Sequence, residues 1–364
     1  MPCTFSSGKE LEYAKNIKYI DAVYSSKEFL RFLISKEINI LSEPRDQGVI
    51  IHLGGDIFYA SKLVKKLNYP AYAYIWANKK YDKHFKGYFV RDIRGLNKLI
   101  KMGISKDKVH LAGDLLADNF NDEKKTNTNN EIFTLSFLPG SREIEIMALI
   151  PFYARTAELI KEKIKNIKFN IILSPFIDRE GLFKNDHIMP YKGFEGVRVN
   201  LRPSEDKMVT DKIEMDICYN ENFDAIKRSD FAVTLPGTKT AEGAIAGVPQ
   251  LVIVPLNRAE FIPYVGFIGL LGYLGAPGKM LKARLIRIIS KKFGFTALPN
   301  IIAGKEILPE MMQDLTPGEV AQKACNLIND KKKLKMIKEE LIRVYEPLKG
   351  ASDKMLKVIS MDYK

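Results

Sequence analysis

The sequence predicts an α/β protein built as two doubly wound units facing across a cleft, and three observations carry that expectation. The chain has 364 residues, more than one hydrophobic core comfortably serves. Short apolar runs alternate with segments of helical period, which favours parallel sheets with helices on both faces. A polar stretch, "NDEKKTNTNNE" from Asn121 to Glu131, interrupts the alternation as an interdomain linker does. The expected division is an N-terminal unit over 1–122, a linker over 123–130, a second unit over 131–345, and a closing helix over 346–364 placed to pack back on the first.

Taken in order, "GVIIHL" reads as a buried strand and "IFYASKLVKKL" as the helix that follows it. "AYAYIWA" and "KGYFV" read as strands, "DIRGLNKLIKMG" as a helix stopped at Gly103, and "KVHLAGD" as another strand. Beyond the linker come strand "IFTLSFL", helix "IMALIPFYARTAELIKEKI", strand "FNIILSP" and a helix around "FDAIKRS". Strand "DFAVTL", helix "TAEGAIAG" and strand "PQLVIVP" continue the alternation, and one long helical pattern runs from Thr316 to about Tyr345. In such folds the ligand sits outside the C-terminal ends of the strands.

Composition narrows the chemistry. The net charge of +13 points to a polyanionic partner, whether nucleic acid, anionic membrane or phosphorylated substrate. Nucleic acid is disfavoured, because no recognition motif is present and aromatics are not interleaved with the basic residues. Cys3, Cys218 and Cys325 are odd in number and unclustered, and four histidines are scattered, so neither a disulfide framework nor a metal site is expected. A reducing cytoplasm fits, and no signal peptide is evident.

Two strand–turn–helix junctions carry the functional signal. In "FLPGSREIEI", Gly140 lets the backbone approach a ligand, Ser141 suits a helix N-cap, and Arg142 offers a forked donor to phosphate. In "TLPGTKTAEGAIAG", Gly237, Thr238 and Thr240 repeat that logic, and Glu242 lies one helical turn on, where a carboxylate can accept ribose hydroxyls. Helix N-termini favour anions at both places. A plain capped helix start explains each junction on local grounds as well; together they raise the odds of a diphosphate site.

"LPGSREIEI", "PGTKTAEGAIAGVPQLVIV" and "ALPNIIAGKEILPEMMQD" occur in the order and spacing of the lipid-A-disaccharide synthases, and the chain resembles that family over residues 131 to 353. The resemblance implies a GT-B fold and a nucleotide-diphosphate-sugar donor, UDP above all, bound in the C-terminal unit. It implies that Gly140, Ser141, Arg142, Gly237 and Thr238 hold donor phosphate, that Glu242 holds ribose, and that Asn300, Glu310 and Gln313 line the donor site or cleft. "GAS", Gly350 to Ser352, fits the family too. Pro236 stands where the family has Ser, and Lys239 adds a charge beside the phosphate site.

The N-terminal half is less faithful. "GDLLAD", Gly113 to Asp118, resembles a family turn with Asp114 and Leu115 replacing His and Pro, and Trp76 falls at an acceptor-side strand end. Asp56, after two glycines at a strand end, is the expected base for the acceptor hydroxyl, with an N-cap role the alternative. The N-terminal unit is expected to lack its first strand and helix. "FIPYVGFIGLLGYLGAPG", 261–278, carries no charge, but its glycines and prolines oppose a spanning helix. "KMLKARLIRIISKKF" then reads as a basic amphipathic helix with Leu281, Leu285, Ile288 and Ile289 on one face, a membrane-surface pattern.

The leading expectation is therefore a metal-independent glycosyltransferase without a cofactor. It would move a sugar from a UDP-sugar to a lipid-linked acceptor while touching the inner face of the cell membrane from the cytoplasm. A UDP-sugar-binding remnant with impaired catalysis and a nucleotide-sugar epimerase on the same fold are the alternatives.

Overall fold

The computed structural model describes residues 10–34, 47–76, 78–118, 132–175, 177–219, 222–261, 275–290 and 294–361. The linker and most of the apolar stretch at 261–278 lie outside the described residues. The chain forms two compact units, Met1–Asn119 with Pro347–Lys364, and Phe120–Glu346.

The first unit begins with helices α1 (Glu10–Lys15) and α2 (Ser26–Ile34). Strand β1 (Ile50–His52), helix α3 (Ile57–Leu67), β2 (Ala71–Tyr74), β3 (Gly87–Val90), α4 (Ile93–Lys101), β4 (Val109–Leu111) and α5 (Leu115–Asp118) follow. All four strands are parallel and run in the order β1-β2-β3-β4. Winding in one direction puts right-handed crossover helices on one face. Accordingly Ala71, Ala73, Tyr88 and Val90 pack against Ile57 and Ala60 of α3 and Leu99 of α4. Strand alternation turns Tyr72 and Phe89 the other way. That second face is covered by the last helix of the chain, α14 (Ala351–Met361), through Ala351, Met355 and Ile359.

The second unit alternates β5 (Phe133–Leu138), α6 (Glu143–Lys163), β6 (Ile167–Ile172) and the short α7 (Arg179–Leu182). An arm of β7 (His187–Ile188), β8 (Val199–Arg202) and β9 (Lys207–Val209) pairs antiparallel and joins β10 (Glu214–Cys218). Then come α8 (Asn222–Lys227), β11 (Phe231–Thr234), α9 (Thr238–Ile245), β12 (Gln250–Pro255), α10 (Gly275–Ser290), α11 (Leu298–Ala303) and β13 (Glu310–Gln313). The sheet order is β13-β12-β11-β5-β6-β10-β9-β8-β7. Its core stacks Phe137 on Tyr153 and Phe152 on Phe194 at centroid distances of 4.8 and 4.6 Å.

One expectation needs correction. The single helical pattern over 316–345 is two helices, α12 (Pro317–Asn329) and α13 (Lys331–Tyr345). Asp330, at φ −90° and ψ 77°, leaves the helical region and caps α13 by accepting from the Lys333 N–H. In α10 Gly278, Lys282, Ile286 and Ser290 are buried, Leu281 and Ile288 of the expected apolar face are exposed, and Leu285 and Ile289 are half-buried. The antiparallel arm and β13 were not foreseen, because strands of two to four residues leave almost no periodic signal.

Candidate functional site

Among the described parallel strands of the second unit, the order reverses at one place. From β5 the chain proceeds to β6 and β10, then returns to lay β11 on the opposite edge of β5. The C-terminal ends of β5 and β11 therefore bound a switch-point crevice, the usual ligand position in open α/β sheets. Thr234 is in register with Leu138, so the turns that follow the two strands leave the sheet side by side. These are the turns at Gly140 and Gly237.

The junctions share a spacing that reading each one alone did not reveal. Pro139-Gly140-Ser141-Arg142-x-x-Glu145 and Pro236-Gly237-Thr238-Lys239-x-x-Glu242 are two copies of one pattern, Pro-Gly-hydroxyl-cation-x-x-Glu. In each copy the cation is bound to the glutamate: Arg142 Nη1 donates to Glu145 Oε1 at 2.6 Å, and Lys239 Nζ donates to Glu242 Oε2 at 2.6 Å. Glu145 is the member that the motif reading leaves out, and the repeat is the signal that finds it.

Gly140 and Gly237 have φ of +97° and +137°, where a side chain is strained. A Cβ on Gly140 would stand 2.7 Å from Glu145 Oε2 and 3.2 Å from Leu235 Cδ1, whereas one on Gly237 would meet nothing within 4 Å. Gly140 is thus packed tight and Gly237 faces open space. Ser141, Gly237 and Thr238 are exposed. Burial raises the pKa of Glu145, against the opposing pull of Arg142 and of the Arg142 and Ser141 N–H groups that donate to its carboxylate.

Thr240, Asn300 and Glu310 are brought together behind the turns. The Thr240 hydroxyl donates to Gly237 O at 2.7 Å and accepts from the Leu298 N–H at 3.2 Å, tying the start of α9 to the start of α11. Asn300 is fully buried. Its Oδ1 accepts from the Ile307 and Leu308 N–H groups, and its Nδ2 donates to Leu308 O and to Glu310 Oε1. Glu310 also accepts from the Thr296 and Ala297 N–H groups and the Thr296 hydroxyl. All four hydrogen-bonding positions of the Asn300 amide are occupied, so it braces the loop between α11 and β13. Gln313, at the end of β13, is exposed and donates to Glu319.

In the first unit Asp56 is the exposed N-cap of α3, accepting from the Phe58 N–H at 2.9 Å. His52, four residues before it at the end of β1, is buried with Nδ1 unpartnered. Burial lowers its pKa, and the Asp56 charge opposes that shift. Trp76 is 40% exposed beyond β2, with Arg91, Arg94 and Lys98 at 5.4–5.6 Å from its ring. Among the described residues no group of three or more His, Cys, Asp or Glu could hold a metal ion. No described helix is long and apolar enough to cross a membrane.

"GDLLAD" and "GAS", apart in sequence, meet within the first unit. Asp118 accepts from the Gly350, Ala351 and Ser352 N–H groups at 2.8, 3.0 and 2.5 Å, and from the Ser352 hydroxyl. A Cβ on Gly113 would stand 2.3 Å from Leu348 O.

Comparison with known proteins bears on the fold and the family likeness. No family model matches the chain. The lipid-A-disaccharide synthase of Wigglesworthia glossinidia brevipalpis is 26% identical over 236 residues, covering 65% of this chain and 50% of that protein. That of Sulfurihydrogenibium sp. (strain YO3AOP1) is 28% identical over 245 residues, covering 66% and 54%. The chain thus spans about half the length of the curated relatives it matches. Among solved structures, an S. aureus MnaA–UDP co-structure aligns with a TM-score of 0.52 at 14% identity, covering 94% of this chain and 82% of that one. A UDP-N-acetylglucosamine 2-epimerase aligns at 0.50 and 10% identity, covering 93% and 78%. The chain is a sequence relative of the lipid-A-disaccharide synthases, and its units have the Rossmann-like fold of the GT-B class.

Proposed function

We propose that the chain is a glycosyltransferase that moves a sugar from a UDP-sugar, of the UDP-N-acetylglucosamine type or an acylated derivative, to a lipid-linked sugar acceptor. The observation that carries this reading is the doubled Pro-Gly-hydroxyl-cation-x-x-Glu turn at the β5–β11 switch point. In it, the N-termini of α6 and α9 supply partial positive charge to the donor diphosphate. Gly140, Ser141 and Arg142 take one phosphate, and Gly237 and Thr238 the other. Glu242 accepts from the ribose hydroxyls once Lys239 turns to the diphosphate.

Thr240, Asn300 and Glu310 hold the second turn in place, and Gln313 borders the site. Charge developing on the leaving UDP is met by these fixed dipoles and by Arg142, without a metal ion or other cofactor. Asp56 is the base that takes the acceptor hydroxyl proton. The exposed Met280, Leu281 and Ile288 of α10, interspersed with Arg284 and Arg287, support peripheral contact with the anionic inner face of the cell membrane.

The test is a transfer assay with UDP-N-acetylglucosamine or its acylated form and a glycolipid acceptor in anionic vesicles, with a chelator present. Release of UDP matched by a new glycosidic bond is expected, falling at least ~100-fold in Asp56→Ala. Conversion of the UDP-sugar to an epimer without consumption of acceptor would replace this reading.

A further inference from the structure

The anion-binding turn after β5 is already occupied by an anion of its own. Glu145 is only 6% exposed, and its carboxylate is bound by the Arg142 guanidinium at 2.6 Å. That guanidinium is the side-chain donor a phosphate on this turn requires. Geometry explains the arrangement, since Glu145 is the third residue of α6 after its N-cap Arg142, the position from which a glutamate reaches back to the cap N–H. The glycine at 140 is part of the same fit, because a side chain there would strike Glu145 Oε2.

We propose that Glu145 is a positioning residue that acts as an internal substitute for phosphate: it holds the Arg142 guanidinium at rest, and a bound diphosphate must draw that guanidinium away from it. This deepens the assignment of the β5–β11 crevice as the donor site and rests on that assignment. The consequence is functional. A carboxylate that competes for the same donor weakens resting nucleotide binding and returns to its place when the UDP product leaves. Product release limits many well-evolved enzymes, and a built-in competitor shortens that step.

The competing account is that Glu145 is only a helix cap, in which case disturbing it loosens the turn and weakens binding. Calorimetric titration with UDP separates the two, using wild type, Glu145→Asp, Glu145→Gln, Arg142→Ala and the Arg142→Ala/Glu145→Asp double variant, with thermal melts to verify folding. Aspartate keeps the charge but withdraws the reach to Arg142; glutamine keeps the reach but removes the charge. Both are expected to bind UDP ~tenfold more tightly than wild type. The gain from Glu145→Asp should vanish in the Arg142→Ala background, because there is no longer a shared donor to release.

Equal or weaker binding by Glu145→Asp, with Arg142→Ala impaired, would overturn the competition and leave the donor site standing. Tightening in the glutamine variant alone would reduce Glu145 to a general field effect and also overturn it. Undiminished binding by Arg142→Ala would remove the diphosphate from this turn, and the donor-site assignment would fall with the inference.

Discussion

Asn300 shows why a motif residue need not touch a ligand to matter. Its amide closes four hydrogen bonds in a fully buried position, holding the segment from Ile307 to Glu310 against the start of α11. Asn300→Ala should cost about 3 kcal/mol in chemical denaturation, because two buried N–H groups and a carbonyl lose their partners. A change below about 1 kcal/mol would mean that the loop re-forms without it. At this scale the sequence was legible by residue type but not by role. Gly140, Arg142 and Gly237 stand out because two strand–turn–helix junctions of the same kind occur in one unit, although a plain capped helix start explains each alone. Glu145 passed as an ordinary helix-start acid, since nothing local distinguishes a solvated glutamate from one folded back onto its own turn.

Among the elements, α14 is held to the first unit by apolar packing and by one carboxylate. Asp118 caps α14 from another part of the chain, taking the N–H groups that an N-terminal residue would normally serve. Burial pushes its carboxyl up, but the Ser352 hydroxyl and the Ser352, Ala351 and Gly350 N–H groups outweigh that and hold it below its ordinary value of 3.8. A depressed folded pKa means that the stabilisation is complete above the unfolded value and disappears as pH falls through the lower folded one. Asp118→Ala should therefore cost about 1 kcal/mol at neutral pH and raise hydrogen exchange across 351–361. That difference from wild type should close in acid below the folded value; a difference independent of pH would contradict the charge-assisted cap. The major elements were readable because their apolar residues repeat at periods of 2 and 3.6. The arm β7–β9 was not, because its pairing is decided by contacts distant in sequence, as was the break at Asp330, where a local cap overrides an unbroken periodic pattern.

For the whole molecule, the chain divides between Asn119 and Phe120, beside the change in composition at Asn121. The reversal of strand order between β5 and β11 sets two helix N-termini beside one another, and a chain with a net charge of +13 directs that crevice toward an anion. The first unit was harder to read, since its four strands wind one way and its second face is covered by α14, more than 230 residues from Asp118 in the chain. The central claim is that the crevice holds the diphosphate of a uridine nucleotide. Calorimetric titration of the chain with UDP, beside uridine and inorganic phosphate as controls, tests it most directly. Saturable one-site binding of UDP, weakened at least tenfold (~1.4 kcal/mol) in both Arg142→Ala and Glu242→Ala and absent with uridine or phosphate alone, is the predicted result. UDP binding that both variants leave unchanged, or none at all by the folded chain, would contradict the account.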